Sequence, residues 1–168
     1  MKTTIIVIVS IFMIAITSFK LYSTGVESKE KIGQQVITAL QHSSAHEFSA
    51  LFPTLADFHA LMVRNSELYG QNLSEAARAF EKEYEHELYP AFKKSFERII
   101  LEGKEAGIDW RTIQLVSVDV PENVEGDFAA VPMTITFNAR GKKYYLEIEK
   151  VLVINGKWKI SHYINLKK

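Results

Sequence analysis

The sequence contains no cysteine in its 168 residues. This absence excludes a thiol nucleophile and the acylated cysteine of a lipoprotein, and it means that the fold neither needs nor avoids an oxidising compartment. An excess of charge of either sign is absent as well, because 20 Lys and Arg residues balance 20 Asp and Glu residues. The basic residues are scattered along the chain, so we expect no nucleic-acid-binding surface.

The motifs of several enzyme classes are also missing. There is no glycine-rich phosphate loop and no Ser/His/Asp order in a recognisable context. What the chain does have is 47% hydrophobic and 24% charged residues, which predicts one globular domain with a proper core.

The first 25 residues differ in character from the rest. Lys2 precedes an apolar run at residues 5–16, after which polar residues return. This order matches the basic and apolar regions of a secretory signal peptide, but residues 3–19 are also long enough for an uncleaved membrane anchor. We expect residues 1–25 to be a signal peptide or an anchor. Residues 26–168 would then be an exported domain, either periplasmic, extracellular or held at the inner membrane.

Apolar residues recur at helical spacing through the next part of the chain. The predicted helices cover residues 28–41, a short stretch from Ser43 or Ser44 to Pro53, residues 54–69 and residues 72–107. The third helix begins with a capping box at Thr54 and Asp57. The fourth should kink or break at Tyr89 and Pro90, because proline removes a backbone donor.

From Trp110 onward the apolar pattern alternates, which is typical of strands. Strands are predicted at residues 112–120 and 127–138 and on both sides of an Asn-Gly turn at residues 155–156, with another tight turn at residues 140–141. Helices first and an antiparallel meander after them predict an α+β fold. In it, N-terminal helices pack on one face of a curved four-stranded antiparallel sheet.

The registers that the two turns impose conflict at one point. One turn places Ile148 on the apolar face and the other places Val151 there, although residues three apart in a regular strand lie on opposite faces. A β-bulge at Glu149 and Lys150 resolves the conflict. We favour this interpretation because a single apolar face suits a two-layer domain.

The two registers predict different sites. With the bulge, His162 is the one polar side chain on an otherwise apolar face. Without it, His162 shares a face with Glu147, Glu149 and Trp158, and imidazole beside carboxylate is suited to proton transfer. These three residues, His162, Glu147 and Glu149, are weak catalytic candidates, and no catalytic residue is assigned.

Metal and cofactor sites are not predicted. His42 and His46 are four apart on a helix, a spacing that can hold a metal, but no third ligand follows at a usable interval. No cofactor motif is present.

Several short runs resemble the nuclear transport factor 2-like (cystatin-like) superfamily, and in particular small exported bacterial proteins within it. The runs are Leu51-Phe52-Pro53-Thr54, Tyr89-Pro90, Gly107-Ile108-Asp109-Trp110 and Asn155-Gly156-Lys157-Trp158. The resemblance covers residues 28–166 and implies a cone-shaped fold with a hollow between helices and sheet. Members use that hollow for small ligands and sometimes for isomerase or dehydratase chemistry. A shared fold does not transfer catalytic residues, so none is carried over.

Three functions follow as hypotheses. The leading one is an exported, non-catalytic domain that binds a small apolar ligand or a protein partner in the hollow. The side chains expected to line the hollow are Tyr84, Tyr144, Leu146, Trp158, Ile160 and His162. The second is an isomerase- or hydratase-type enzyme that uses His162 with Glu147 or Glu149. The third is a structural module or homodimer that pairs through an outer sheet face, on which Tyr145, Leu152, Ile154 and Tyr163 would be exposed.

Overall fold

The computed structural model describes residues 26–64, 73–121 and 130–168. The expected signal peptide or anchor at residues 1–25 lies outside these ranges, as do the predicted helix end near residue 69 and most of the loop that follows the first strand. Within the described ranges, no helix is both long and apolar enough to cross a membrane.

The helices come first along the chain, as the periodicity predicted. They are α1 (Lys29–Gln41), α2 (Ala45–Ser49), α3 (Leu55–Arg64), α4 (Leu73–Glu83), a π-helical turn (Tyr84–Leu88), α5 (Tyr89–Glu105) and a 3-10 turn (Trp110–Thr112). The predicted capping box is confirmed. The Thr54 hydroxyl accepts a hydrogen bond from the Asp57 amide at 3.1 Å, and the Asp57 carboxylate accepts one from the Thr54 amide at 2.8 Å.

The irregularity expected near Pro90 takes the form of the π-helical turn. The amide of Tyr89 donates to the carbonyl of Tyr84, five residues back, directly before the proline that has no amide to give. The helix then continues to Gly107, whose φ of 75° ends it. The amide of Ile108 donates to the carbonyl of Gly103 at 2.8 Å, which completes a Schellman motif.

The strands form one curled antiparallel sheet, so the predicted α+β class is confirmed. They are β1 (Gln114–Asp119), β2 (Val131–Ala139), β3 (Lys142–Ile154), β4 (Lys157–Ile160) and β5 (Ile164–Lys167). The order is β1-β2-β3-β4, and β5 also pairs with β3. Strands β4 and β5 together occupy the predicted fourth strand, which is interrupted between Ile160 and Ile164.

Both predicted tight turns are present, and both are type I′ turns. Asn155 and Gly156 have φ values of 52° and 74°, and Arg140 and Gly141 have φ values of 50° and 78°. Positive φ at both central residues defines the type I′ turn, whose twist matches that of the flanking strands.

The predicted bulge is confirmed at Glu149 and Lys150. Met133 of β2 pairs with Ile148, but Val131 pairs with Val151, so β3 contains one more residue than β2 between these pairs. Ile148 and Val151 consequently lie in the same core, 1% and 0% exposed.

The main core fills the space between α1, α2, α5 and the face of the sheet that carries Ile148 and Val151. A second cluster covers the other side of the β3–β4 hairpin, where Phe58 and Leu61 of α3 pack against Leu152 and Ile154. The prediction that Leu152 and Ile154 would be exposed on an outer face is therefore wrong. Helices cover both faces of the sheet at this end, because α3 crosses to the side opposite α1.

Candidate functional site

The interruption between β4 and β5 lies directly opposite the bulge in β3. The amide of Ser161 donates to the Lys150 carbonyl at 3.0 Å, and the amide of Glu149 donates to the Tyr163 carbonyl at 3.1 Å. His162 lies between these two bonds and makes neither of them. The chain therefore bends at His162, which the sequence pattern did not predict.

His162 and Glu149 form a close pair at this bend. Nδ1 of His162 lies 2.5 Å from Oε2 of Glu149, close enough for an ion pair, and this nitrogen is shielded from solvent. The geometry of this contact is not that of a hydrogen bond, and Nδ1 has no hydrogen-bond partner among the described residues. The side chain of Glu149 is 55% exposed and that of His162 30%, so the pair lies at the surface.

The other carboxylate candidate lies farther along β3. Glu147 pairs across the sheet with Thr134 on one side and with Asn165 on the other, and its side chain is exposed. The structure thus brings Glu149 to His162. A carboxylate beside imidazole can hold or accept a proton, and the surface position leaves water free to compete for it.

Most of the residues expected to line a hollow are packed in the main core. Tyr144, Leu146, Trp158 and Ile160 are at most 7% exposed and contact the other core side chains. Tyr144 also stacks on Phe137, with the ring centroids 5.6 Å apart. This part of the interior is occupied by the protein's own side chains.

Tyr84 joins the two clusters. Its hydroxyl donates a hydrogen bond to the Pro53 carbonyl at 3.1 Å, and its ring contacts that of Phe58. Burial raises the pKa of the Tyr84 hydroxyl, with smaller contributions from Tyr89 and Asp57. The hydroxyl is therefore held neutral and serves as a donor to the backbone.

The prediction that His42 and His46 lie four apart on one helix is wrong, because α1 ends at Gln41 and His46 belongs to α2. Nδ1 of His42 lies 3.0 Å from the Glu47 carboxylate, whereas His46 borders the groove described next. Among the residues that the structure describes, no three His, Asp or Glu side chains come together as a metal site would require.

A groove of about 530 Å³ lies between α1, α2 and the edge of β4 that faces away from β3, and we call it the Trp158 groove. It is lined by Glu27, Lys31, Gln34, Gln35, Thr38, His46, Glu47, Ala50, Leu51, Lys157, Trp158 and Lys159. Of the residues predicted to line a ligand site, Trp158 borders this groove.

Hydrogen bonds tie both ends of the β4 edge to neighbouring segments and leave the groove between them. At one end, the Trp158 indole donates to the Glu27 carbonyl and the Glu27 amide donates to the Gly156 carbonyl, both at 2.8 Å. At the other end, the Ile160 amide donates to the Leu51 carbonyl at 2.9 Å. The walls of the groove are thus fixed by backbone contacts rather than by side chains alone.

The groove was missed at the sequence level because its parts are distant along the chain. Trp158 and Glu27, which are hydrogen-bonded, are separated by 131 positions. The one local signal is the polar side of α1, where Lys31, Gln35 and Thr38 recur at helical spacing. That pattern is equally typical of a solvated helix face.

Comparison of the chain with known protein families, curated proteins and solved structures found no match. The fold and the groove define a small α+β domain in which helices pack on a curled antiparallel sheet.

Proposed function

We propose that residues 26–168 form an exported, non-catalytic binding domain of the nuclear transport factor 2-like class, and that its ligand site is the Trp158 groove. The size of this groove supports the proposal. Its volume of about 530 Å³ falls in the range of about 300–1,000 Å³ that small-molecule sites usually have. The packing of Tyr144, Leu146 and Ile160 in the core supports a site at the groove rather than in the interior.

The proposed class rests on architecture and not on shared catalytic residues. Helices precede an antiparallel meander that bends at a bulge, as in the cone of that superfamily. Export rests on the basic and apolar pattern at the start of the sequence. Its test is the mass and location of the native protein after cell fractionation. Export predicts a chain that begins near residue 26, or an intact chain in the membrane fraction, and an intact chain in the cytosol contradicts it.

Binding is tested by ¹H–¹⁵N NMR with two small aromatic probes, 4-phenylbutyrate and 4-phenylbutyramide. The proposal predicts shifts of the Trp158 indole and of the amides at Lys157 and Thr38, which line the groove. Shifts centred on Phe137 and Leu146 would place the site in the interior instead. No shift with either probe at millimolar concentration contradicts the proposed function.

A second candidate function is proton transfer by His162 with Glu149, and the 2.5 Å contact between their side chains favours it. The test is hydrogen–deuterium exchange next to the carbonyl of small ketones, followed by NMR. Catalysis predicts exchange that is lost in His162→Ala and in Glu149→Gln and kept in His59→Ala, which alters an exposed histidine on α3. Equal exchange in all the variants would exclude this function.

A further inference from the structure

Starting from the proposed function of the Trp158 groove, we propose that its ligand is a small carboxylate with an apolar body. Three features of the groove suit such a ligand: the direction of one backbone amide, the balance of charge, and the mixture of polar and apolar walls.

The register of the hairpin directs the backbone N–H of Trp158 out of the sheet. Ile154 and Lys157 flank the two-residue turn and form a hydrogen-bonded pair across the two strands. Such pairs alternate with non-hydrogen-bonded pairs in an antiparallel ladder, so the next pair, Val153 and Trp158, is non-hydrogen-bonded. Ile160 also occupies a non-hydrogen-bonded position, and its amide points away from β3 and donates to the Leu51 carbonyl. The N–H of Trp158 therefore points from the β4 edge toward the groove, where it can donate to an anion.

The charges that line the groove leave a positive excess. Three lysines, Lys31, Lys157 and Lys159, and two carboxylates, Glu27 and Glu47, line it. Glu27 is paired with Lys31, and the Glu47 carboxylate lies 3.0 Å from Nδ1 of His42, which carries a charge only when it is protonated. By contrast, Lys157 has no polar partner among the described residues, and the ammonium group of Lys159 donates to a neutral carbonyl, that of Ala50, at 3.0 Å.

Lys157 and Lys159 are two residues apart on β4, so their side chains lie on the same face, on either side of the Trp158 amide. Two lysines on one strand and an N–H on the edge of that strand are complementary to a single carboxylate.

The rest of the groove suits the body of such a ligand. Ala50, Leu51 and the Trp158 side chain supply apolar surface, and the α1 wall supplies the Gln35 amide and the Thr38 hydroxyl as groups that can both donate and accept. Sites for small molecules usually combine an apolar lining with a few polar groups of this kind. A free phosphate would use the cationic edge but not the apolar wall, which favours the carboxylate.

The test compares the dissociation constants of 4-phenylbutyrate and 4-phenylbutyramide, measured from the NMR shifts of the Trp158 indole. The two probes have the same shape and differ in charge. Because partly exposed ion pairs are weak, we expect the carboxylate to bind about three- to tenfold more tightly. The Trp110 indole, which donates to the Ile100 carbonyl inside the core, is the internal reference that should not move.

Substitutions assign the difference to the lysines. Lys157→Gln should weaken binding of the carboxylate about two- to fivefold and leave the amide unchanged, because only an ion pair is lost. Lys143→Gln, an exposed lysine of β3 outside the groove, is the matched control and should change neither.

Equal affinity for both probes would contradict the proposal that the ligand is a carboxylate, while the groove would still be a binding site. Equal effects of Lys157→Gln and Lys143→Gln would overturn the role of the cationic edge. Stronger binding of inorganic phosphate than of phenylbutyrate would assign the edge to phosphate. If neither probe moves the Trp158 indole, the proposed function itself fails.

Discussion

Gly103→Ala probes how tightly the interior between helix and sheet is packed. A Cβ atom at position 103 would lie 2.0 Å from Cζ2 and 2.4 Å from Cε2 of Trp110, well inside contact distance of a rigid ring. That ring is held by a hydrogen bond to the Ile100 carbonyl and lies beside Phe137, with the ring centroids 5.8 Å apart. The indole has to move if a methyl group is added.

The expected loss of stability can be worked from these contacts. Overpacking usually costs roughly 1–3 kcal/mol, and full displacement of a buried tryptophan would approach the roughly 3–5 kcal/mol of its deletion. Alanine recovers about 1 kcal/mol of helix propensity relative to glycine. We expect a net decrease of about 2 kcal/mol in the free energy of unfolding, which lowers Tm by about 4–8 °C in a domain of this size.

The assay is urea denaturation of the wild type, Gly103→Ala, Trp110→Phe and the double variant. The smaller Phe ring leaves room for the methyl group, so Gly103→Ala should cost less in the Trp110→Phe background, and the difference measures the clash. A Gly103→Ala variant as stable as the wild type would show that the added methyl group does not clash with Trp110. It would mean that Trp110 can swing into empty space and that the interior contains a hollow after all.

Three further outcomes follow from single contacts. Thr54→Ala should lower the free energy of unfolding by about 1 kcal/mol in denaturant titrations, because it removes the hydroxyl that accepts from the Asp57 amide. Burial raises the pKa of Glu83 above its usual 4.5, so the native state binds this proton more tightly and stability falls as pH rises above 4.5 toward the folded-state pKa. Glu83→Gln should therefore be more stable than the wild type at pH 7 and equal to it at pH 3, and the opposite order contradicts the assignment. A double-mutant cycle on His162 and Glu149 should give a coupling of about 0.2–1 kcal/mol, because both side chains are partly exposed.

Local signals in the sequence were sufficient for the hairpins. Asn155-Gly156 defines its own turn geometry, and the pairing of Val153 with Trp158 follows from it. The bulge was predictable for the same reason. The registers that the two turns impose differ by one residue between Ile148 and Val151, and a β-bulge accommodates one extra residue in a strand.

Contacts between distant segments were not predictable in the same way. Leu152 and Ile154 alternate correctly for an outer face, but α3 covers them, and the position of a helix relative to a sheet is not encoded in strand periodicity. A signal was present in the four consecutive apolar residues that end β3, since such runs are typical of strands buried on both faces. The sequence contains no comparable signal for the bend at His162, because the alternation of inward and outward residues continues through Ser161 and Tyr163.

Binding in the Trp158 groove is tested by the affinity of 4-phenylbutyrate for a Thr38→Trp variant. Thr38 lies on the α1 wall, so an indole there fills the Trp158 groove without entering the core. If the ligand binds in the groove, its affinity should fall by about tenfold or more, equivalent to about 1.4 kcal/mol, with Tm unchanged. Unchanged affinity in a folded Thr38→Trp variant would show that the ligand does not bind in the groove.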